Sequence, residues 1–78
     1  MLTNGGNMIS IVLPTYNEKE NITNLIEQIE SVVKRQNLKS EIVVVDDNSP
    51  DGTADAVAKL KKKYKNIKIF IREEKLGI

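Results

Sequence analysis

Two short polar runs hold most of the side chains in this chain that could do chemistry, and each directly follows an apolar stretch. The first is Pro14-Thr15-Tyr16-Asn17-Glu18 after Ile9 to Leu13; the second starts at Asp46-Asp47 after Ile42 to Val45 and runs through Asn48, Ser49, Pro50, Asp51 and Gly52 to Thr53. A carboxylate accepts hydrogen bonds from the N–H groups of a base or the hydroxyls of a ribose, and a tyrosine ring can lie against a flat base. Pro14 holds the backbone rigid, Tyr16 offers a ring and a hydroxyl, and Glu18 offers an acceptor. Successive strand side chains point to opposite faces, so the adjacent acids Asp46 and Asp47 can divide two jobs. One would face an open crevice and the other would brace the N–H groups of the turn. The plainer reading makes both loops helix entries, with Asn17, Ser49 and Asp51 capping and Tyr16 packing on the core. The whole set fits binding of a nucleotide better than catalysis, because the chain has no histidine and no cysteine to serve as base, nucleophile or soft metal ligand.

The elements that must position these loops follow from periodicity. Ile9 to Leu13 is rich in β-branched residues and predicts a strand stopped by Pro14. Ile22, Leu25, Ile26, Ile29, Val32 and Val33 recur at helical spacing and predict a helix from Glu18 to Arg35, with Asn17 and Glu20 in a capping-box arrangement. Ile42 to Val45 predicts a second strand. Asp51 or Thr53 could cap a second helix, whose buried stripe is Ala54, Val57, Leu60 and Tyr64. Lys61, Lys62, Lys63 and Lys65 crowd its last turn, where cations suit the helix dipole and read as a solvated face. Ile67, Ile69 and Ile71 alternate in a third strand.

The result is an α/β chain in the order βαβαβ. Right-handed crossovers give a parallel sheet in the order 3-2-1, with both helices on one face. Open sheets of this kind bind ligands outside the carboxyl ends of their strands, where both polar loops fall. Ile42 to Val45 is apolar on both sides, as in a strand covered on both faces, yet nothing here covers the second face or pairs with the outer side of the first strand. The expectation is therefore the first part of a larger domain over residues 9–78, truncated after Gly77 and Ile78, preceded by a disordered leader over residues 1–8. An exposed apolar sheet of this kind invites self-association.

With 78 residues the chain is at most one small domain, and its net charge of +1 points to no polyanion or nucleic acid. No apolar run approaches the roughly 20 residues that span a bilayer, and the N-terminus has no signal-peptide pattern, so the expected location is cytoplasmic. Ser49 to Thr53 resembles the nucleophile loop of haloacid-dehalogenase phosphatases, but Ser49 stands where the nucleophilic aspartate belongs. No dinucleotide fingerprint or GxxxxGK loop is present. A receiver-like signalling domain would need a phosphate-accepting aspartate after its third strand, and Ile67 to Glu74 contains none.

Three motifs occur in order: S-I-V-L-P-T-Y-N-E-x-E-N-I from Ser10, E-I-V-V-V-D-D-N-S-P-D-G-T-A from Glu41, and R-x-x-K-L-G from Arg72. Together they resemble the start of family 2 glycosyltransferases, most of all the dolichol-phosphate mannosyltransferase branch. The resemblance implies a glycosyltransferase A-type, Rossmann-like fold whose first half binds the nucleotide. It implies that Pro14, Tyr16 and Glu18 line the nucleoside pocket, that Asp47 and Val45 contact the base, and that Asp46 is the turn-bracing acid. It implies a nucleotide-sugar donor (GDP-mannose or UDP-glucose), a polyprenyl or dolichyl phosphate acceptor, and Mg or Mn on the donor diphosphate. In such enzymes the metal neutralises the leaving group and a lipid phosphate oxygen inverts the anomeric carbon. The D-x-D-like metal motif is not in this sequence, and no catalytic residue can be assigned. The chain is thus expected to recognise the donor without transferring sugar, and the resemblance implies a full enzyme that works at the cytoplasmic membrane face. The alternative is a stand-alone nucleotide-binding or interaction module.

Overall fold

The computed structural model describes residues 2–5 and 8–72. Six elements follow one another: β1 (Leu2–Gly5), β2 (Met8–Thr15), α1 (Lys19–Arg35), β3 (Lys39–Asp46), α2 (Thr53–Lys61) and β4 (Ile67–Ile71). They form one four-stranded sheet in the order β1-β2-β3-β4. β2, β3 and β4 are parallel, and they are the three strands the sequence predicts, in the predicted order.

Near the N-terminus, expectation and structure part at Leu2–Gly5. In place of a leader without structure, Leu2–Gly5 forms β1 and pairs antiparallel with β2, Leu2 opposite Ile11 and Gly5 opposite Met8. The outer side of β2 therefore has a partner along its first half. Leu2-Thr3-Asn4-Gly5 lacks the long apolar alternation that marks a buried strand, so only the free edge of β2 reveals its use.

Pro14 does not stop β2 but sits inside it, opposite Val45. The ladder explains why. Thr15 O accepts from Asp47 N at 3.0 Å, so the polar groups of Thr15 face β3. Those of its neighbour Pro14 face the other side, beyond Ile11 where the pairing with β1 has ended. Proline is tolerated where no ladder donor is required.

The core lies between the sheet and both helices. Ile42 and Val44 of β3 are fully buried against Ile22 and Ile26 of α1, Val57 and Leu60 of α2, and Ile67 of β4. Burying a side chain of this size stabilises by about 1.5–3 kcal/mol. The helical stripe read from the sequence is wider than the surface it covers. Leu25 and Val32 stay exposed and, with Ile9, Ile11, Ile29 and Leu38, line an apolar groove of about 400 Å³ between α1 and β2. In α2, Val57 and Leu60 are buried, Ala54 is only half-buried and Thr53, absent from the expected stripe, is fully buried; Tyr64, expected on the stripe, lies beyond the helix's end and is half-buried.

No described helix packs on the second face of the sheet. In register there stand Ser10, Val12 and Pro14 of β2, Glu41, Val43 and Val45 of β3, and Lys68 and Phe70 of β4. At its lower end a polar ladder crosses three strands, Ser10 Oγ donating to Glu41 Oε2 at 2.6 Å and Lys68 Nζ reaching Glu41 Oε1 at 3.0 Å. Its upper end, toward the loops, carries Pro14, Val45 and Phe70.

Candidate functional site

Both polar loops leave the same edge of the sheet, from the carboxyl ends of β2 and β3, and β4 ends beside them. The ladder continues into the loops: Asp47 N donates to Thr15 O at 3.0 Å and Arg72 N donates to Asp46 O at 2.8 Å. Tyr16, Asp47 and Arg72 are thereby brought together on the open side. A cavity of about 260 Å³ lies there, lined by Pro14, Thr15, Tyr16, Val45, Asp47 and Arg72. Four of the five residues expected at the nucleoside pocket share this cavity. The fifth, Glu18, is the N-cap of α1 and is not in its lining.

The two acids differ sharply. Asp46 is 1% exposed and faces the helices. Its Oδ1 accepts from Thr15 Oγ1 at 2.7 Å and Ser49 Oγ at 2.6 Å, and its Oδ2 accepts from Ser49 N at 2.8 Å. Burial pushes its pKa up, but these three donors outweigh it and hold the carboxyl below its ordinary value. Asp47 faces the cavity. Its Oδ1 makes no hydrogen bond and stands 3.7 Å from Arg72 Nε, within ion-pair range but too far to be bonded.

The expected capping arrangement of the first loop does not form. Asn17 adopts a left-handed backbone with φ 54°, where an N-cap would need an extended one. The caps come instead from the second loop. Asn17 N donates to Ser49 Oγ at 2.8 Å, Glu18 N to Thr53 Oγ1 at 3.0 Å, and Lys19 N to Asp51 Oδ2 at 3.1 Å. Asp51 also caps α2, accepting from Thr53 N at 3.0 Å. The Thr53 hydroxyl hydrogen bond comes first among the causes that hold the Asp51 carboxyl below its usual range, and the N–H donors add to it against a smaller opposing effect of burial. Gly52 makes the tight entry to α2 possible, with φ 91°, a conformation that disfavours any side chain.

Arg72 and the Ser49–Asp51–Thr53 set are the site residues that sequence reasoning did not place. Strand register would have found the first, since Ile71 lies opposite Asp46 and the next residue must flank Asp47. For the second, the sequence placed Asp51 or Thr53 at the start of α2, where Asp51 does accept from Thr53 N, but not the reach of Ser49, Asp51 and Thr53 to the entry of α1. The rest of the R-x-x-K-L-G motif and the Glu73-Glu74 pair lie outside the described residues.

A divalent cation does not fit the side chains in view. Among the described residues no group of three or more acidic, histidine or cysteine side chains could hold a metal. The oxygens of Asp46 and Asp51 are already occupied by hydroxyl and N–H donors, and Asp47 faces a guanidinium. Nor is any described helix long and apolar enough to cross a membrane.

Known proteins are similar to this chain in sequence and in fold. Residues 10–78 match glycosyl transferase family 2. Over 70 residues the chain is 41% identical to a dolichol-phosphate mannosyltransferase of Pyrococcus furiosus, covering 90% of this chain and 19% of that protein. It is 35% identical to the glycosyltransferase AglE of Haloferax volcanii, covering 88% of this chain and 22% of that protein. Among solved structures, a Pyrobaculum calidifontis mannosyltransferase in complex with GDP-Man and Mn2+ superimposes with a TM-score of 0.64 and 30% identity, over 92% of this chain and 21% of that one. This chain thus spans about a fifth of the length of these relatives. The α/β order, the paired loops at one sheet edge and the match over nearly the whole sequence lead to one conclusion: the chain belongs to glycosyl transferase family 2.

Proposed function

We propose that this chain is the donor-binding part of a hexosyltransferase that uses a nucleotide sugar, GDP-mannose in the favoured reading, and delivers the sugar to a polyprenyl phosphate at a membrane face. The observation that carries the reading is the cavity at the strand ends, where Tyr16, Val45 and Asp47 converge and Asp47 Oδ1 is left without a hydrogen bond. A shielded carboxylate oxygen without a donor is costly, and a base N–H is a donor of the right kind. Tyr16 supplies a face for stacking, Val45 and Pro14 supply apolar contact, and Arg72 brings positive charge toward a diphosphate. Glu18 lies outside the cavity lining, and its role at the nucleoside rests on the family resemblance alone. The ligand of the Pyrobaculum relative, GDP-Man, supports guanine and mannose over uracil and glucose.

The chain's own residues bind and orient a donor; among the described residues none is positioned to move a proton or act as a nucleophile. The divalent ion named with that relative supports a metal in the family reaction. It would have to be held by residues other than those described here, so sugar transfer by the 78-residue chain alone is not expected. Calorimetric titration of the chain with GDP and with UDP tests the reading. It predicts binding of GDP in preference to UDP, and absence of binding by either would refute it. Transfer of labelled mannose to a polyprenyl phosphate by this chain alone would contradict the division of labour.

A further inference from the structure

Three consecutive N–H groups where the first loop enters α1, those of Asn17, Glu18 and Lys19, end on three side chains of the second loop, Ser49, Thr53 and Asp51. Two of these contacts are relays of the same design. The Ser49 hydroxyl accepts from Asn17 N and donates to buried Asp46; the Thr53 hydroxyl accepts from Glu18 N and donates to Asp51. Each hydroxyl is oriented by a carboxylate, so its lone pairs are presented to the opposite loop. A hydroxyl donating to an anion is also the stronger acceptor, since hydrogen bonds in a chain polarise one another.

The placement matters because of what each loop carries. Tyr16 immediately precedes the three latched N–H groups. Asp46 and Asp47 begin the run that carries the three latching side chains, with Asn48 between Asp47 and Ser49. Asn17 at φ 54° and Asn48 at φ 55° hold backbones that a free loop would readily leave. These side-chain contacts add to the ladder bond between Asp47 N and Thr15 O and to the Thr15 Oγ1–Asp46 Oδ1 bond in joining the two loops. Thr53 is fully buried, so its contact is not exchanged with water.

We infer that Ser49, Asp51 and Thr53 are positioning residues that fix the distance between Tyr16 and Asp47, and so set nucleotide affinity without touching the nucleotide. The inference rests on the donor-binding reading for its ligand but not for its geometry. It assigns the turn after the acid pair a task distinct from starting α2.

The test uses the 78-residue chain, isotopically labelled, as wild type and as Thr53→Val, Thr53→Ser, Ser49→Ala and Val57→Ala. Val57→Ala is a core control that lowers stability without altering either loop. Calorimetry with GDP and amide-proton exchange are read for each. Loss of one such hydrogen bond should weaken GDP binding by about tenfold in Thr53→Val and somewhat less in Ser49→Ala. Thr53→Ser, which keeps the hydroxyl, should bind within about threefold of wild type. Val57→Ala should bind as wild type well below its melting temperature. Exchange protection at Glu18 should fall in Thr53→Val and return in Thr53→Ser. Equal affinity of Thr53→Val and wild type would overturn the inference, as would a loss in Val57→Ala as large as that in Thr53→Val. If wild type fails to bind GDP, the donor reading fails. Exchange then judges the latch alone, with unchanged protection at Asn17, Glu18 and Lys19 in Thr53→Val overturning it.

Discussion

Asp46 and Asp47 are neighbours in the chain and opposites in environment. On the helix-covered side the side chains are hydrogen-bonded in two groups, Thr15–Asp46–Ser49 and Asp51–Thr53. On the open side, Asp47 Oδ1 has no hydrogen bond and faces Arg72 across 3.7 Å. Folding requires the first arrangement, because buried polar groups must be paired. Nothing in the fold requires the second. The strand's alternation thus assigns one acid to holding the loops and leaves the other available to a ligand.

Exchanging the acids for amides should separate the two sides most strongly. Asp46→Asn places an NH2 group or a weaker acceptor against three donors and should cost roughly 2–3 kcal/mol of stability, a large share in a domain this small. Asp47→Asn should change stability by less than about 0.5 kcal/mol. It should weaken GDP binding by about tenfold or more, since a charged acceptor is replaced. Thermal melts and titrations of both variants would read this, and equal affinities would erase the division of roles.

Tyr16 sharpens the open side with a smaller effect. Removing the ring in Tyr16→Ala should weaken GDP binding roughly fivefold or more, by loss of stacking, while Tyr16→Phe keeps most of it. A Tyr16→Phe loss equal to that of Tyr16→Ala would move the contribution from the ring to the hydroxyl.

The covered side should show itself in the pH dependence of stability. The carboxyls of Asp46 and Asp51 titrate below their ordinary value of 3.8 in the folded chain. Their contribution is therefore complete above that value and is lost as pH falls through the lower folded values. Melting temperature should hold from neutral pH to about 5 and then drop, and the drop should be shallower in Ser49→Ala with Thr53→Val, which removes donors from both carboxylates. An acid profile as steep in the double variant as in wild type would mean that other groups govern it.

Much of this was legible because each signal was local. Apolar alternation and helical spacing located β2, α1, β3, α2 and β4, and the two loops at strand ends followed from the parallel order. What escaped depends on contacts between distant segments. β1 is recognisable only once β2 has a free edge. Pro14 inside β2 depends on which way its neighbours' polar groups face. The buried Glu30 of α1 reaches Asn66 at 3.3 Å across 36 residues, beyond any helical stripe. The capping of α1 by Ser49, Thr53 and Asp51 likewise joins residues more than 30 positions apart.

The central claim is that the open side of the loop edge takes a nucleotide. Amide chemical-shift mapping of the 78-residue chain during titration with GDP tests it most directly. The account predicts shifts concentrated at Tyr16, Val45, Asp47 and Arg72, with little change along the groove formed by Leu25, Ile29 and Val32. Saturable shifts in that groove with none at Tyr16 and Asp47, or no shifts at all, would contradict it.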